Sequence, residues 1–157
     1  MDKRTIYAAG PMSGLSISQI KDRYTQVLRD LTPFYHVLHP MIDHENFETT
    51  TKDPEFIVEA NGAEKQIQRS FFGRDKWMVQ QSDIVLADWT QSSETGRVSI
   101  GTIAEVSWAH AWNKYVVSIL PENNPHEHAF IYMLSDTIFT TYDEAVKYLQ
   151  KLPTAAF

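Results

Sequence analysis

Four short apolar runs, each cut off by a breaker, constrain this chain more than any other feature. They are Thr5-Ile6-Tyr7-Ala8-Ala9 before Gly10-Pro11, Tyr35-His36-Val37-Leu38-His39 before Pro40, Ile84-Val85-Leu86-Ala87 before Asp88-Trp89, and Tyr115 to Leu120 before Pro121. Runs that are continuously apolar, instead of alternating, belong to strands covered on both faces. Helical spacing fills the gaps between them. Ser16 with Gln19 fits a capping box, followed by Ile20, Tyr24, Val27, Leu28 and Leu31, and Pro33 stops that helix. A second helix is predicted from Glu59 to Ser82, with Ile67, Phe71, Met78 and Trp77 inward, and a third from Gly101 to Asn113. Thr141 with Glu144 opens a last helix to Leu152, while Phe130–Met133 and Thr137–Phe139 are apolar pieces with no clear period. Residues 41–58 read as a long loop or lid, and Asp88-Trp89 as the start of a polar loop. Strands alternating with helices make a single Rossmann-like, doubly wound α/β domain over residues 1–157.

The length of 157 residues suits one domain. Fourteen Lys and Arg against twenty Asp and Glu give a net charge of −6, which argues against a nucleic-acid duplex as partner. A small anion stays open, because backbone amides hold phosphate without net basicity. With no cysteine, disulfides, thiolate zinc sites and Cys nucleophiles drop out together. His36, His39, His44, His126 and His128 form no metal-binding spacing, so neither metal nor cofactor is expected. No apolar run approaches the roughly 18 residues that span a bilayer, and the expectation is a cytoplasmic protein with no membrane partner.

In doubly wound sheets the ligand sits outside the C-terminal ends of the strands. Tyr7 and the Gly10-Pro11-Met12-Ser13-Gly14 turn reach that edge, and Glu105 lies early on a helix that begins there. Asp75 precedes Asp83 by eight residues, so on its helix it stands roughly 12 Å above the foot of the third strand. The strand climbs a similar roughly 16 Å, which puts Asp75 at the active edge and leaves Asp83 at the bottom. Paired carboxylates, a Tyr and a Gly turn at one edge suit glycosyl transfer. Ser99 and the amides from Gly101 onward form a helix N-terminus that favours an anion, with Arg97 nearby.

In this order and spacing, Tyr7 before a Gly turn, Asp75 ahead of Asp83, Gly101-Thr102-x-x-Glu105 and the Val-rich strand after it resemble the nucleoside 2-deoxyribosyltransferases and the related nucleotide N-glycosidases. The resemblance runs from Thr5 to the final helix. It implies a flavodoxin-like parallel sheet of about five strands. It further implies Glu105 as nucleophile on the anomeric carbon, Tyr7 orienting its carboxylate, and Asp75 moving a proton at the base. It implies a dimer-based homo-oligomer with shared sites, in which His128 reaches a neighbour's sugar. Where the transferases carry an Asp six positions before the nucleophile, this chain has Ser99, as the monophosphate glycosidases do. It departs from those glycosidases at Pro11, where they have Ser, and at Ser13, where they have Arg.

The resulting expectation is cleavage of the N-glycosidic bond of a nucleoside 5′-monophosphate, in the 2′-deoxy form. Gly10, Ser13, Gly14, Asp88, Trp89, Arg97, Ser99, Gly101 and His128 are its candidate binding residues, with Trp89 a stacking surface for a base. Base exchange on deoxynucleosides, a non-catalytic nucleotide sensor and an NAD-type glycohydrolase are the alternatives. A helix-start Glu is also favoured by the macrodipole, and a strand Tyr is ordinarily core.

Overall fold

A computed structural model describes residues 2–42 and 62–152, with the side chains of 62–70 excepted. The segment read as a lid therefore lies outside the described residues beyond Met41 and Ile42, as does the side chain of Ile67. The elements run β1 (Thr5–Ala9), α1 (Ile17–Leu31), β2 (His36–Leu38), α2 (Gly62–Gln81), β3 (Ile84–Asp88), α3 (Thr90–Thr95), α4 (Ile100–Ala111), β4 (Tyr115–Ile119), α5 (Ala129–Leu134), β5 (Thr137–Phe139) and α6 (Tyr142–Lys151). All five strands pair in parallel in the order β2-β1-β3-β4-β5. The chain winds one way from β1 to β2 and the other way from β3 onward. The switch point, where loops diverge and leave a crevice, falls between β1 and β3.

Strand parity divides the core into two layers. Ile6, Ala8, Ile84, Leu86, Val117 and Ile119 meet α1 and α6 on one face. Tyr7, Ala9, Val85, Ala87 and Val116 meet Met78, Val106 and Ala109 on the other. The α1/α6 layer is tied across the chain by polar contacts. Tyr35 Oη donates to the Leu149 carbonyl at 2.5 Å and Tyr142 Oη to Asp30 Oδ2 at 3.0 Å.

The helices start where side-chain caps allow. Ser16 and Gln19 form the full reciprocal box on α1. On α6 Thr141 accepts from the Glu144 amide, but the Glu144 carboxylate returns to the Thr141 hydroxyl at 2.9 Å instead of its amide. Three expectations need correction. The polar stretch after Asp88 is helical as α3: Asp88 Oδ1 accepts from the Thr90 amide at 3.0 Å, and Gly96 ends the helix at φ +66°. The two unassigned apolar pieces form α5 and β5. Trp77 points outward, 57% exposed, because Met78 and Val79 take the core-facing positions of that turn.

At the lower edge, carboxylates satisfy the first amides of strands. Asp83 Oδ2 accepts from Thr5 N and Asp136 Oδ2 from Val116 N, each at 2.8 Å. D83A should cost about 1 kcal/mol of stability in a denaturant titration and leave turnover per folded molecule unchanged.

Candidate active site

The crevice draws its chemistry from three elements. Tyr7, at the middle of β1 and 0% exposed, projects from the α2/α4 face. Glu105 sits in the second turn of α4, 8% exposed. Asp75 comes from α2, six residues before that helix ends. The Tyr7 hydroxyl and Asp75 Oδ1 are both buried without a hydrogen bond. Two orphaned polar atoms beside a buried carboxyl are a cost that core packing does not explain, and such groups mark sites built for something that arrives later.

The ionisations show how close these groups lie. Burial pushes the Asp75 carboxyl up to about 7, with the neighbouring Arg74 guanidinium opposing. Burial also raises Glu105 well above the usual carboxylate range; the Asp75 charge raises it further, while Tyr7 and Arg23 pull it back. The Tyr7 phenol is held neutral by burial and then by Glu105 and Asp75. Tyr7 and Glu105 are thus near enough to couple, yet outside the geometry of an ordinary hydrogen bond. The Asp75 charge acts on Glu105 across the site, so the two carboxyls titrate as a pair that can share a proton.

A cationic layer that sequence reasoning missed supports this trio. Arg23 is 7% exposed. Its Nη1 donates to the Pro11 carbonyl at 2.7 Å and to the side-chain oxygen of Gln91, and its Nη2 to Tyr24 Oη at 2.9 Å. It bridges the two loops that diverge at the switch point. A Cβ at Gly10 would come within 2.8 Å of the Arg23 Cζ and 3.0 Å of the Asp88 carbonyl, so only glycine fits there. The signal was present: Arg23 stands on the Ile20–Val27 apolar stripe, where a cation has no reason to be unless it is paired. Arg74 donates to the Ile42 carbonyl at 2.8 Å and to that of Pro40, and lies 3.7 Å from Asp75. His39 stacks on Tyr24 at 4.8 Å, and burial with the Arg74 charge takes its pKa down to about 4.

The binding candidates separate into groups. Gly14, at φ +80°, has the Arg97 side chain against it, 3.2 Å from where a Cβ would stand. Ser99, two residues on, caps α4, with its Oγ 2.7 Å from Thr102 Oγ1. Ser13 is exposed at the tip of the first turn, and Gly101 is exposed in the first turn of α4. The Gly14, Arg97, Ser99 and Gly101 positions thus form one rim. Asp88 is not part of it: strand parity turns it to the opposite face, where it lines a cleft with Gln19, Asp22 and Tyr142. Trp89 is 0% exposed; its indole donates to Ser118 Oγ at 3.3 Å and packs on His126 at 4.3 Å. No open face of that ring meets the crevice. His128 is exposed, its Nδ1 accepting from the Phe130 amide at 3.1 Å as the cap of α5.

A second cavity, about 510 Å³, opens at the lower edge between Arg4, Asp83, His110, Lys114, Tyr115 and Asp136. Its carboxylates are engaged with the Thr5 and Val116 amides, and the two carboxyls raised by burial, Asp75 and Glu105, lie at the other end of the strands. Among the described residues no three His, Asp or Glu side chains are grouped to hold a metal, and no helix is long and apolar enough to cross a membrane.

Comparison with known proteins gives the family and the fold. Residues 6–150 match the sequence model of the family described as nucleoside 2-deoxyribosyltransferase. No curated protein sequence matches. Among solved structures, a conserved protein from Enterococcus faecalis V583 aligns at TM-score 0.59 and 13% identity, covering 96% of this chain and 99% of that one. The 2-deoxyribosyltransferase of Bacillus psychrosaccharolyticus aligns at 0.59 and 21%, covering 92% and 91%. The Clostridium botulinum CMP N-glycosidase BcmB aligns at 0.52 and 19%, covering 97% and 100%. These likenesses share the flavodoxin-like fold. By the family match, which spans nearly its whole length, the chain belongs to the nucleoside 2-deoxyribosyltransferase family, enzymes that act on the N-glycosidic bond.

Proposed function

We propose that this enzyme cleaves the N-glycosidic bond of 2′-deoxynucleoside 5′-monophosphates through a covalent glycosyl-enzyme. The observation that carries the reading is the grouping of buried Glu105 and Tyr7 with half-buried Asp75, in which Tyr7 Oη and Asp75 Oδ1 have no hydrogen bond. In the reactive form the shared proton sits on Asp75 and the charge on Glu105. A Glu105 oxygen bonds to C1′ as the C1′–N bond breaks, and the electron pair leaves on the base nitrogen. Asp75 donates its proton to that nitrogen. Tyr7 turns its hydroxyl onto the Glu105 carboxylate and so gains its partner, while Asp75 gains one in the base nitrogen. Water then attacks C1′, loses a proton to Asp75 and releases Glu105, so the anomeric configuration is retained.

Ser99 supports the phosphorylated substrate. A neutral hydroxyl at the N-cap, with first-turn amides that lack intrahelical acceptors, suits a phosphate that an Asp would repel. Arg97, beside Gly14, adds a cation to the same rim. A second copy of the chain, reaching the sugar through His128, completes the reading. Ile100, Phe130 and Met133, at 80%, 69% and 74% exposure, supply apolar surface on the segments flanking Ser99 and His128.

E105Q should lower turnover roughly a thousandfold or more in a free-base release assay across deoxynucleosides and their monophosphates. Release from unphosphorylated deoxynucleosides only in the presence of a second base would make the enzyme a transferase instead. S99D should weaken monophosphates roughly tenfold or more and spare nucleosides; equal losses on both would remove the phosphate from the reading.

D75N carries a pH signature. The native pKa of about 7 lies above the unfolded value near 4, so the wild type loses stability as pH rises between them. D75N has no such penalty. It should cut turnover about a hundredfold or more, yet melt above the wild type at pH 8, with the gap closing toward pH 4. A variant less stable than wild type at pH 8 would make Asp75 a structural residue. F130D with M133D should shift the chain toward monomer in sedimentation and lower activity in parallel.

A further inference from the structure

The capping of α4 is incomplete within the helix itself. On α1 the Ser16 amide is satisfied by Gln19, three residues on, at 2.9 Å. On α4 the corresponding residue is Thr102, whose hydroxyl is taken up with Ser99 Oγ at 2.7 Å. The Ser99 amide instead donates to His126 Nε2 at 2.8 Å, from 27 residues away. An amide only donates, so Nε2 is the acceptor and Nδ1 carries the proton. Nδ1–H donates to Asn124 Oδ1 at 2.9 Å, and the same oxygen accepts the His126 amide at 3.0 Å. Asn124 Nδ2 donates to the Trp89 carbonyl and to Ser93 Oγ, each at 2.8 Å. Every polar atom of the Asn124 amide is used, which fixes its orientation and with it the imidazole tautomer. His126 is 2% exposed, Asn124 4% and Trp89 0%. The imidazole packs on the Trp89 ring at 4.3 Å, and burial keeps it neutral.

The geometry points to His126 as a positioning residue that sets substrate specificity at the anion-binding rim. Held by Asn124, it fixes the Ser99 main chain, and with it the cap from which the first amides of α4 start. The inference rests on the proposed reading that a 5′-phosphate is bound there. By consuming the Ser99 amide it also makes the rim a two-amide site rather than a three-amide one. The histidine is therefore bound up in neither metal nor chemistry: it acts through Ser99. Discrimination between a nucleotide and a nucleoside, more than the rate of bond cleavage, is what it governs.

The test uses H126F, which keeps a ring against Trp89 and removes the acceptor, and H126Q, whose amide oxygen restores one. Two readouts are taken: hydrogen exchange of the Ser99 amide, and kcat and KM for deoxynucleoside 5′-monophosphates and the matching nucleosides. In H126F the Ser99 amide should exchange at least tenfold faster. Its KM for monophosphates should rise about tenfold with kcat held within about threefold, and its KM for nucleosides should stay put. H126Q should recover most of both. Unchanged Ser99 exchange, or losses of equal size on nucleotide and nucleoside, would overturn the inference. A wild type that treats nucleosides and monophosphates alike would instead remove the monophosphate reading and the specificity role with it, while Ser99 exchange would still judge the clamp. Should H126F fail to fold, H126L makes the same test, because it keeps an apolar side chain against Trp89, removes the acceptor for the Ser99 amide and leaves Asn124 bonded to Trp89 and Ser93.

Discussion

Two carboxyls enclosed at one switch point set the terms for the rest of this molecule. Burying Glu105 and Asp75 together is unfavourable on its own, because each is desolvated and the Asp75 charge raises Glu105 further. The pair persists because the sheet, α2 and α4 over-determine it. Tyr7 is anchored on a central strand, Glu105 on a helix capped by Ser99, and Asp75 on a helix held through Arg74 to the carbonyls of Pro40 and Ile42. Arg23 supplies positive charge from beneath the Gly10 turn and binds the divergent loops together. On the proposed reading, the fold bears the cost of such a site and recovers it when substrate gives Tyr7 and Asp75 their hydrogen-bond partners.

Much of this was legible in the residues. Breakers after each apolar run marked the strand ends, and eight residues of helix against one strand length put Asp75 and Asp83 at opposite edges. Asp83 does sit at the lower edge, bonded to Thr5, and Asp75 couples to Glu105 at the upper one. Asp88 and Trp89 were harder, although parity held the answer for Asp88. Tyr7 pairs with Val85, so residue 88 must face the other layer, and proximity to the strand end alone was misleading. Trp89 is enclosed by side chains that arrive from the far end of the chain, Ser118 and His126, and local sequence carries no trace of them.

What stayed hidden shares one physical character: long-range polar contacts. Arg23 to Gln91 spans 68 residues, Asn124 to Trp89 35, and Ser99 to His126 27. Period and propensity report burial, and a buried polar residue looks the same to them whether its partner is a ligand, a metal or a distant main-chain amide. His126 is such a residue, and its two nitrogens are spent on Asn124 and Ser99. The short α3 helix is a local exception, set by the Asp88 carboxylate on the Thr90 amide and by left-handed Gly96.

The central claim is that Glu105 becomes covalently attached to the sugar. Rapid acid quench during turnover of a deoxynucleoside 5′-monophosphate, followed by intact-mass and peptide mass spectrometry, tests it directly. The account predicts a transient adduct of one deoxyribose phosphate, confined to the peptide that carries Glu105. Base release with no adduct at any quench time, or an adduct on another side chain, would contradict it.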